Sequence, residues 1–85
     1  MYEVHIERRA VKELEKTTSS IRQIILEKIS TILSMQPFPK GDNPKRLKGV
    51  RGFRLRIGDY RVIYTVEKNL ILIYAIRHRK DAYRY

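Results

Sequence analysis

The sequence predicts an α+β fold with an N-terminal strand, two helices and then three antiparallel strands that form one sheet. Three observations support this class. Apolar and polar residues alternate at the N-terminus and again after residue 52, whereas the segment between carries apolar residues at helical spacing. Gly58-Asp59 also divides two alternating segments, as a hairpin turn does. Because 85 residues allow one modest core, we expect a single domain over residues 1–85.

The spacing of apolar residues defines the first three elements. Residues 2–6 alternate as a half-buried strand does, and residues 7–16 have the spacing of a helix. A polar "TTSS" segment then interrupts the pattern. Ser20 and Gln23 have the spacing of a capping box, which predicts the start of a second helix that ends before Pro37. One apolar stripe marks this helix: Ile21, Ile24, Ile25, Ile29 and Ile32.

Three strand patterns follow a loop rich in proline and glycine, at about 53–57, 60–66 and 70–77. The two-residue turn at Gly58-Asp59, with glycine first, fixes the register of the first pair. Arg56 then lies opposite Arg61. The pairing places the apolar side chains of both strands on one face and the arginines on the other.

The link between the last two strands, "EKN", is predicted to be a three-residue loop with Asn69 in a left-handed conformation. Val66 then lies opposite Leu70, and Arg61 lies diagonal to Arg77. A two-residue loop would turn the last strand over and mix the two faces. The three-residue loop keeps these side chains on the apolar face: Leu72, Tyr74 and Ile76.

The composition narrows the class of partner. Lys and Arg total 19 against 9 acidic residues, so the formal net charge is +10, which favours nucleic acid as partner and an acidic protein second. The absence of cysteine excludes disulfides and thiolate zinc sites, and two histidines are too few for most metal cages, so we expect no metal and no cofactor. No signal-peptide core or membrane-spanning run is present, which predicts a cytoplasmic protein without a membrane partner.

Several arginines share the predicted outer face of the sheet: Arg54, Arg56, Arg61 and Arg77. Like charges directly opposite each other weaken a sheet. A bound anion between them would remove this penalty, because guanidinium groups bind phosphate oxygens in a bidentate manner and stay charged at any useful pH. The sequence therefore predicts a phosphate-binding face.

The chain resembles the RelE/ParE superfamily of toxin proteins, and within it the RelE-like branch. The resemblance covers nearly the whole chain and rests on "LKG" at 47–49, "RLRIGDYRVIY" at 54–64 and "HRKDAY" at 78–83. It implies a RelE-like, microbial-ribonuclease-like fold. It also implies the toxin of a type II toxin–antitoxin system, a metal-independent endoribonuclease (mRNA interferase) that enters the ribosomal A site and cleaves mRNA by attack of the ribose 2′-hydroxyl on the neighbouring phosphate.

The same resemblance implies the partners. It predicts a cognate RelB-like antitoxin, which the net charge of +10 suggests is acidic. It also predicts the ribosome, with its mRNA and rRNA, and operator DNA only through the toxin–antitoxin complex.

Site residues transfer from the resemblance position by position. Arg61 matches the arginine that acts on the scissile phosphate, Arg77 a second catalytic arginine, and Tyr83 the tyrosine that stacks on a base or assists proton removal. Arg54 and Arg56 replace two lysines of the ribosome-dependent nuclease. Arg56 is a catalytic candidate because it can stabilise the phosphorane, although arginine is a poor proton donor.

The group that protonates the leaving oxygen stays open among Lys80, His78 and Arg79. Strand parity places His78 towards the helices, which favours a structural role for it. Other basic residues are expected to bind RNA or the ribosome: Arg54, Arg79, Lys80, Lys45, Arg46, Lys48 and Arg51.

Two alternatives remain. A ParE-type toxin would poison DNA gyrase without cutting RNA, and members of that branch usually lack the full set of basic and tyrosine residues on the sheet. A non-catalytic RNA-binding protein would need aromatic side chains among the basic residues of the exposed face, which offers few. The presence of Arg56, Arg61, Arg77 and Tyr83 together favours the nuclease.

Overall fold

A computed structural model describes residues 2–39 and 41–81. In chain order the elements are β1 (Glu3–Ile6), α1 (Arg8–Glu15), α2 (Ser19–Lys28), a π-helical turn (Ile29–Leu33), β2 (Lys45–Arg46), β3 (Phe53–Ile57), β4 (Tyr60–Glu67), β5 (Leu70–His78) and a 3₁₀ turn (Arg79–Asp81). The α+β class and the order of strand, two helices and three antiparallel strands are confirmed, and a further strand of two residues, β2, is added in the segment predicted as a loop. The five strands form one sheet in the order β1-β5-β4-β3-β2, with β1 parallel to β5.

The helices cover one face of the sheet and form the core with it. Ala10 and Leu14 of α1 and Ile25 of α2 are buried there. The sheet contributes the side chains predicted on β3 and β4, together with three from β5: Phe53, Leu55, Val62, Tyr64, Ile71, Ile73 and Ile76. Burial raises the pKa of the Tyr64 phenol, whose hydroxyl donates a hydrogen bond to the Pro37 carbonyl at 2.6 Å.

The connection between α1 and α2 differs from the predicted capping box. The N-cap of α2 is Thr18, not Ser20: its hydroxyl accepts a hydrogen bond from the backbone N–H of Ile21. The preceding threonine, Thr17, donates its hydroxyl to the Leu14 carbonyl and so terminates α1. Two successive hydroxyls thus end one helix and start the next, and the second helix begins earlier than the Ser20–Gln23 spacing suggests.

The β4–β5 turn was predicted wrongly. It has two residues, Lys68 and Asn69, because Glu67 pairs with Leu70. Lys68, rather than Asn69, has the positive φ of 57°. This shorter turn does reverse the faces at the start of β5, so that Leu72 pairs with Thr65 on the face away from the helices.

A β-bulge in β5 restores the predicted faces nearer its end. Tyr64 pairs with Ile73 but Ile63 pairs with Ala75, which leaves Tyr74 as the extra residue. The prediction that Leu72 and Tyr74 belong to the core is therefore wrong, whereas Ile76 returns to it.

We expect Lys68→Gly to stabilise the protein. A side chain in the left-handed region strains the backbone, and glycine relieves that strain at the first position of such a turn. Glycine also loses more chain entropy on folding, so the net gain should be about 0.5–1 kcal/mol. Thermal unfolding should show a rise in melting temperature of a few degrees. An unchanged or lower melting temperature would show that the turn is not strained.

Candidate phosphate-binding site

Three arginines occupy directly paired positions on three adjacent strands of the sheet. Arg56 of β3 lies opposite Arg61 of β4, as predicted, and Arg61 lies directly opposite Arg77 of β5. The sequence predicts only a diagonal relation for the second pair, because it reveals neither the two-residue β4–β5 turn nor the bulge at Tyr74. Since neighbouring strands are about 5 Å apart, the row (Arg56, Arg61 and Arg77, hereafter the arginine row) spans about 10 Å.

A groove of about 500 Å³ opens beside this row at the β3–β4 turn. Its cationic lining residues are Arg56, Arg61, Arg79 and Lys80, and its other lining residues are Gly58, Asp59 and Tyr60. Four cations therefore face one carboxylate. We call this feature the basic groove; the sequence predicted all four of its cations as site residues.

Asp59 ties the end of β5 to the hairpin turn. Its carbonyl accepts a hydrogen bond from the Arg79 N–H at 2.6 Å, and its carboxylate lies 3.7 Å from an Arg79 terminal nitrogen. Both side chains are largely exposed, so the ion pair itself contributes little stability. The two contacts with Asp59 hold Arg79 and Lys80 at the wall of the groove.

Asn43 supports the backbone of Arg56 at the edge of the sheet. Its side-chain oxygen accepts the Arg56 N–H at 2.7 Å, and its side-chain nitrogen donates to the Arg56 carbonyl at 3.0 Å. An amide side chain thus makes both hydrogen bonds that a neighbouring strand would make. The Arg56 side chain stays exposed on a backbone that is held at two points.

Arg77 is buried at the other end of the row, where it meets Glu13 of α1. The Arg77 Nε lies 2.7 Å from one Glu13 oxygen, and the two side chains are 10% and 21% exposed. The other Glu13 oxygen accepts the backbone N–H of Ile76 at 2.8 Å. Glu13 therefore links α1 to β5 beyond the residues where β1 pairs with that strand.

Glu13 was not identified from the sequence as a residue of the candidate site. The available signal is its position on α1, because it lies three residues after the buried Ala10 and directly before the buried Leu14. A carboxylate beside the buried stripe of a helix requires a partner. The sequence does not identify that partner as Arg77.

Arg54 lies on the outer face as predicted but is only 9% exposed. One terminal nitrogen lies 3.5 Å from the Asp42 carbonyl oxygen. Ile63 of β4 lies opposite Arg54, and Ala75 of β5 lies opposite Ile63; both are also buried. The structure therefore separates Arg54 from the exposed Arg56.

The predicted RNA-binding residues of the preceding loop lie towards the β2 edge. Lys45 pairs with Arg54, and the Arg46 guanidinium stacks 5.1 Å from the centre of the Phe53 ring. Lys48 and Arg51 are exposed in the turn that follows. None of these four lines the basic groove.

Gly52 allows β3 to begin close beneath β4. Its φ is 124°, and a Cβ at this position would lie 2.7 Å from the carbonyl oxygen of Tyr64. Only glycine fits such an approach. This glycine fixes the path of the basic loop into β3.

His78 faces the helices, as strand parity predicted. Its ring packs edge-on against Tyr60 with centroids 5.1 Å apart, and its Nδ1 accepts the backbone N–H of Lys80 at 3.2 Å. It does not line the basic groove. Tyr83, the predicted catalytic tyrosine, lies outside the described residues.

Neither a metal cluster nor a membrane-spanning helix is found in the part of the chain that the structure describes. Across residues 2–39 and 41–81, no three acidic or histidine side chains are grouped to hold a metal ion. No described helix combines the length and apolar character that crossing a bilayer requires.

A small basic sheet with a cationic groove at one hairpin is suited to binding the phosphates of a polyanion. A family model described as the ParE toxin of type II toxin–antitoxin systems (parDE) matches residues 4–83. The chain belongs to this family, within the RelE/ParE superfamily, and it is the toxin of a type II toxin–antitoxin system. A search of curated proteins returned no significant match.

Solved toxin structures share the fold. The chain is 27% identical to the toxin of the RelBE2 toxin–antitoxin complex from Mycobacterium tuberculosis, with 92% of this chain and 98% of that chain covered and a TM-score of 0.80. It is 31% identical to the archaeal RelE of the RelE–RelB complex from Pyrococcus horikoshii OT3, with 92% and 94% covered and a TM-score of 0.73. The isolated RelE toxin of E. coli, at 23% identity, 92% and 84% coverage and a TM-score of 0.73, is similar in fold.

Proposed function

We propose that this toxin is a ribosome-dependent endoribonuclease that cleaves mRNA in the ribosomal A site. The observation that carries the proposal is the arginine row beside the basic groove. Arg56 and Arg61 lie directly opposite each other on adjacent strands, and this like-charge pair disfavours the free sheet, whereas the charge of Arg77 is balanced by Glu13. A phosphate that gains negative charge during a reaction is the ligand that benefits most from such an arrangement.

The proposed reaction needs no metal. The 2′-hydroxyl of the A-site nucleotide loses its proton and attacks the adjacent phosphorus, and the bond to the 5′-oxygen of the next nucleotide breaks. The products are a 2′,3′-cyclic phosphate and a 5′-hydroxyl that has gained a proton. Arg56 and Arg61, which line the basic groove, stabilise the extra negative charge of the phosphorane. Arg77 keeps its proposed catalytic role beside them, with its Nε paired to Glu13.

Lys80 is the proposed donor of the proton to the leaving oxygen. It lines the basic groove together with Arg79, whereas His78 lies on the helix side. An arginine gives up a proton poorly, so the lysine is the better acid of the two groove residues. Tyr83 retains its proposed roles in base stacking or removal of the hydroxyl proton.

The proposed regulatory partner is a RelB-like antitoxin. The Mycobacterium tuberculosis and Pyrococcus horikoshii relatives are components of toxin–antitoxin complexes. An acidic antitoxin would complement the net charge of +10. Operator DNA would then be bound through the antitoxin complex, while the free toxin binds the ribosome through mRNA and rRNA.

Purified toxin added to ribosomes with a defined mRNA should cut that message in the A-site codon. The fragments should carry a cyclic phosphate and a 5′-hydroxyl. A message with a 2′-deoxynucleotide at the cleaved position is the matched control and should resist, because it lacks the attacking oxygen. An uncut normal message, or equal cutting of the deoxy message, would contradict the proposed chemistry.

Poisoning of DNA gyrase is the second candidate function, and the description of the matching family as ParE toxin favours it. A gyrase poison would leave the programmed message intact and trap gyrase on cleaved DNA. Parallel assays with ribosomes and with gyrase therefore distinguish the two functions.

A further inference from the structure

Helix α1 carries a second basic surface outside the arginine row and the basic groove. It consists of four exposed residues, hereafter the α1 cationic surface: Arg8, Arg9, Lys12 and Lys16. Within residues 2–39 and 41–81, none of these side chains makes an ion pair or a hydrogen bond. The nearby Glu13 carboxylate is already engaged by Arg77 and Ile76.

At the N-terminus of α1 the arrangement of these charges is unfavourable for the helix itself. Arg8 and Arg9 occupy the first turn, which contains no acidic residue and where the helix dipole disfavours cations. Lys12 in the last turn and Lys16 at the C-cap lie where the dipole favours cations, but the four-residue spacing of Arg8, Lys12 and Lys16 also places like charges next to one another along one side. Cations that lower the stability of the helix that carries them indicate a role in binding.

Adjoining concavities connect this surface to the basic groove. The one over α1, of about 460 Å³, shares Glu13 and Lys16 with a smaller one of about 220 Å³. The smaller one contains Arg77 and shares Tyr60 with the basic groove. The shared lining residues thus place the three concavities side by side, in the order basic groove, Tyr60 and Arg77, side of α1; we call this series of concavities the path.

We propose that the α1 cationic surface binds the phosphate backbone of an RNA strand that continues from the basic groove along this path. The inference rests on the proposed nuclease function. Arg8, Lys12 and Lys16 are spaced four residues apart, about 6 Å along the helix axis, a step comparable to that between neighbouring phosphates of one strand. The lining of the α1 concavity has no large apolar side chain, whereas protein interfaces centre on apolar residues and are poor in lysine.

The test compares two charge-matched double variants of the full-length toxin. Lys12→Gln/Lys16→Gln removes two charges from the α1 cationic surface. Lys28→Gln/Lys68→Asn removes two exposed lysines away from the path. Binding is measured with RNAs made uncleavable by 2′-deoxy substitution, in two lengths: a trinucleotide that fills the groove and a strand of about ten nucleotides, within the range of single-strand binding sites.

We expect the longer RNA to bind wild type more tightly than the trinucleotide does. The α1 variant should lose at least tenfold in affinity for the longer RNA, with a salt slope lower by about 1.4, and should bind the trinucleotide normally. Its melting temperature should stay close to that of wild type, because the loss of favourable dipole contacts offsets the relief of like-charge repulsion. The control variant should lose less affinity for the longer RNA. Equal loss in both variants, or no loss in either, would overturn the inference.

Two further binding experiments, with ribosomes and with the antitoxin, distinguish mRNA from rRNA as the bound strand and test for a protein partner. If the α1 variant binds ribosomes weakly only when the message extends beyond the A-site codon, the strand is mRNA; if it binds weakly with either message, the strand is rRNA. Normal binding to all RNAs but weakened antitoxin binding would refute the inference. Failure of wild type to cut programmed ribosomes would instead refute the proposed function, because the binding assays use uncleavable RNA.

Discussion

Arg61→Ala is expected to slow mRNA cleavage about 10²–10³-fold while changing ribosome affinity much less. Arg61 lies in the middle of the arginine row, opposite both Arg56 and Arg77, and lines the basic groove. Removal of one donor to a developing oxyanion typically has an effect of this size, because the interaction is strongest in the transition state. Single-turnover cleavage of programmed ribosomes and a separate binding titration measure the two effects.

Two comparisons make this result specific. Lys45→Ala removes a cation that lies outside the groove, and it should weaken ribosome binding modestly without a large change in the single-turnover rate. Arg61→Ala should leave the melting temperature unchanged or raise it, because the like-charge pair of Arg56 and Arg61 disfavours the free sheet. Cleavage close to wild type, or a marked drop in melting temperature, would assign Arg61 a structural role.

Glu13→Ala is expected to destabilise the protein by about 2 kcal/mol and to reduce cleavage as well. The change leaves the Arg77 charge largely buried without its carboxylate and removes the acceptor of the Ile76 N–H. Breaking a fully buried pair costs about 3–5 kcal/mol, and partial exposure lowers that figure here. The melting temperature should fall by about 10 °C for a domain of this size.

Glu15→Ala is the matched control, since Glu15 is an exposed acid on the same helix. It should leave both stability and cleavage close to wild type. A double-mutant cycle with Arg77→Gln separates the ion pair from the bond to Ile76. Coupling near zero would show that Glu13 acts only through the backbone of β5. Glu13→Gln should then retain most of the stability.

The sequence predicted the fold where local chemistry dictates it. Gly58-Asp59 sets a two-residue turn, and this turn alone determines that Arg56 meets Arg61. The end of β5 could not be predicted in the same way. Its register depends on Lys68 accepting a strained backbone and on a bulge at Tyr74, two departures from regular geometry that each reverse the faces.

The site was predictable in its cations but not in the groups that position them. The cluster of arginines on a hairpin is visible in the sequence because strand parity is regular. Contacts such as Glu13 with Arg77 join residues from different elements, and their geometry depends on how α1 packs on the sheet. The burial of Arg54 is likewise a property of the assembled fold, since its neighbours Ile63 and Ala75 are withdrawn from solvent with it.

The amide of Asn43 has a consequence for how copies of this protein behave in a crowded solution. An open strand edge invites a strand from another molecule and leads to aggregation. At Arg56 the side chain of Asn43 already takes up the donor and the acceptor that such an intruding strand would need. Self-association through this stretch of the edge is thereby blocked without an additional strand. The exposed side chain of Arg56 thus lies at a point of the edge whose backbone groups are already satisfied.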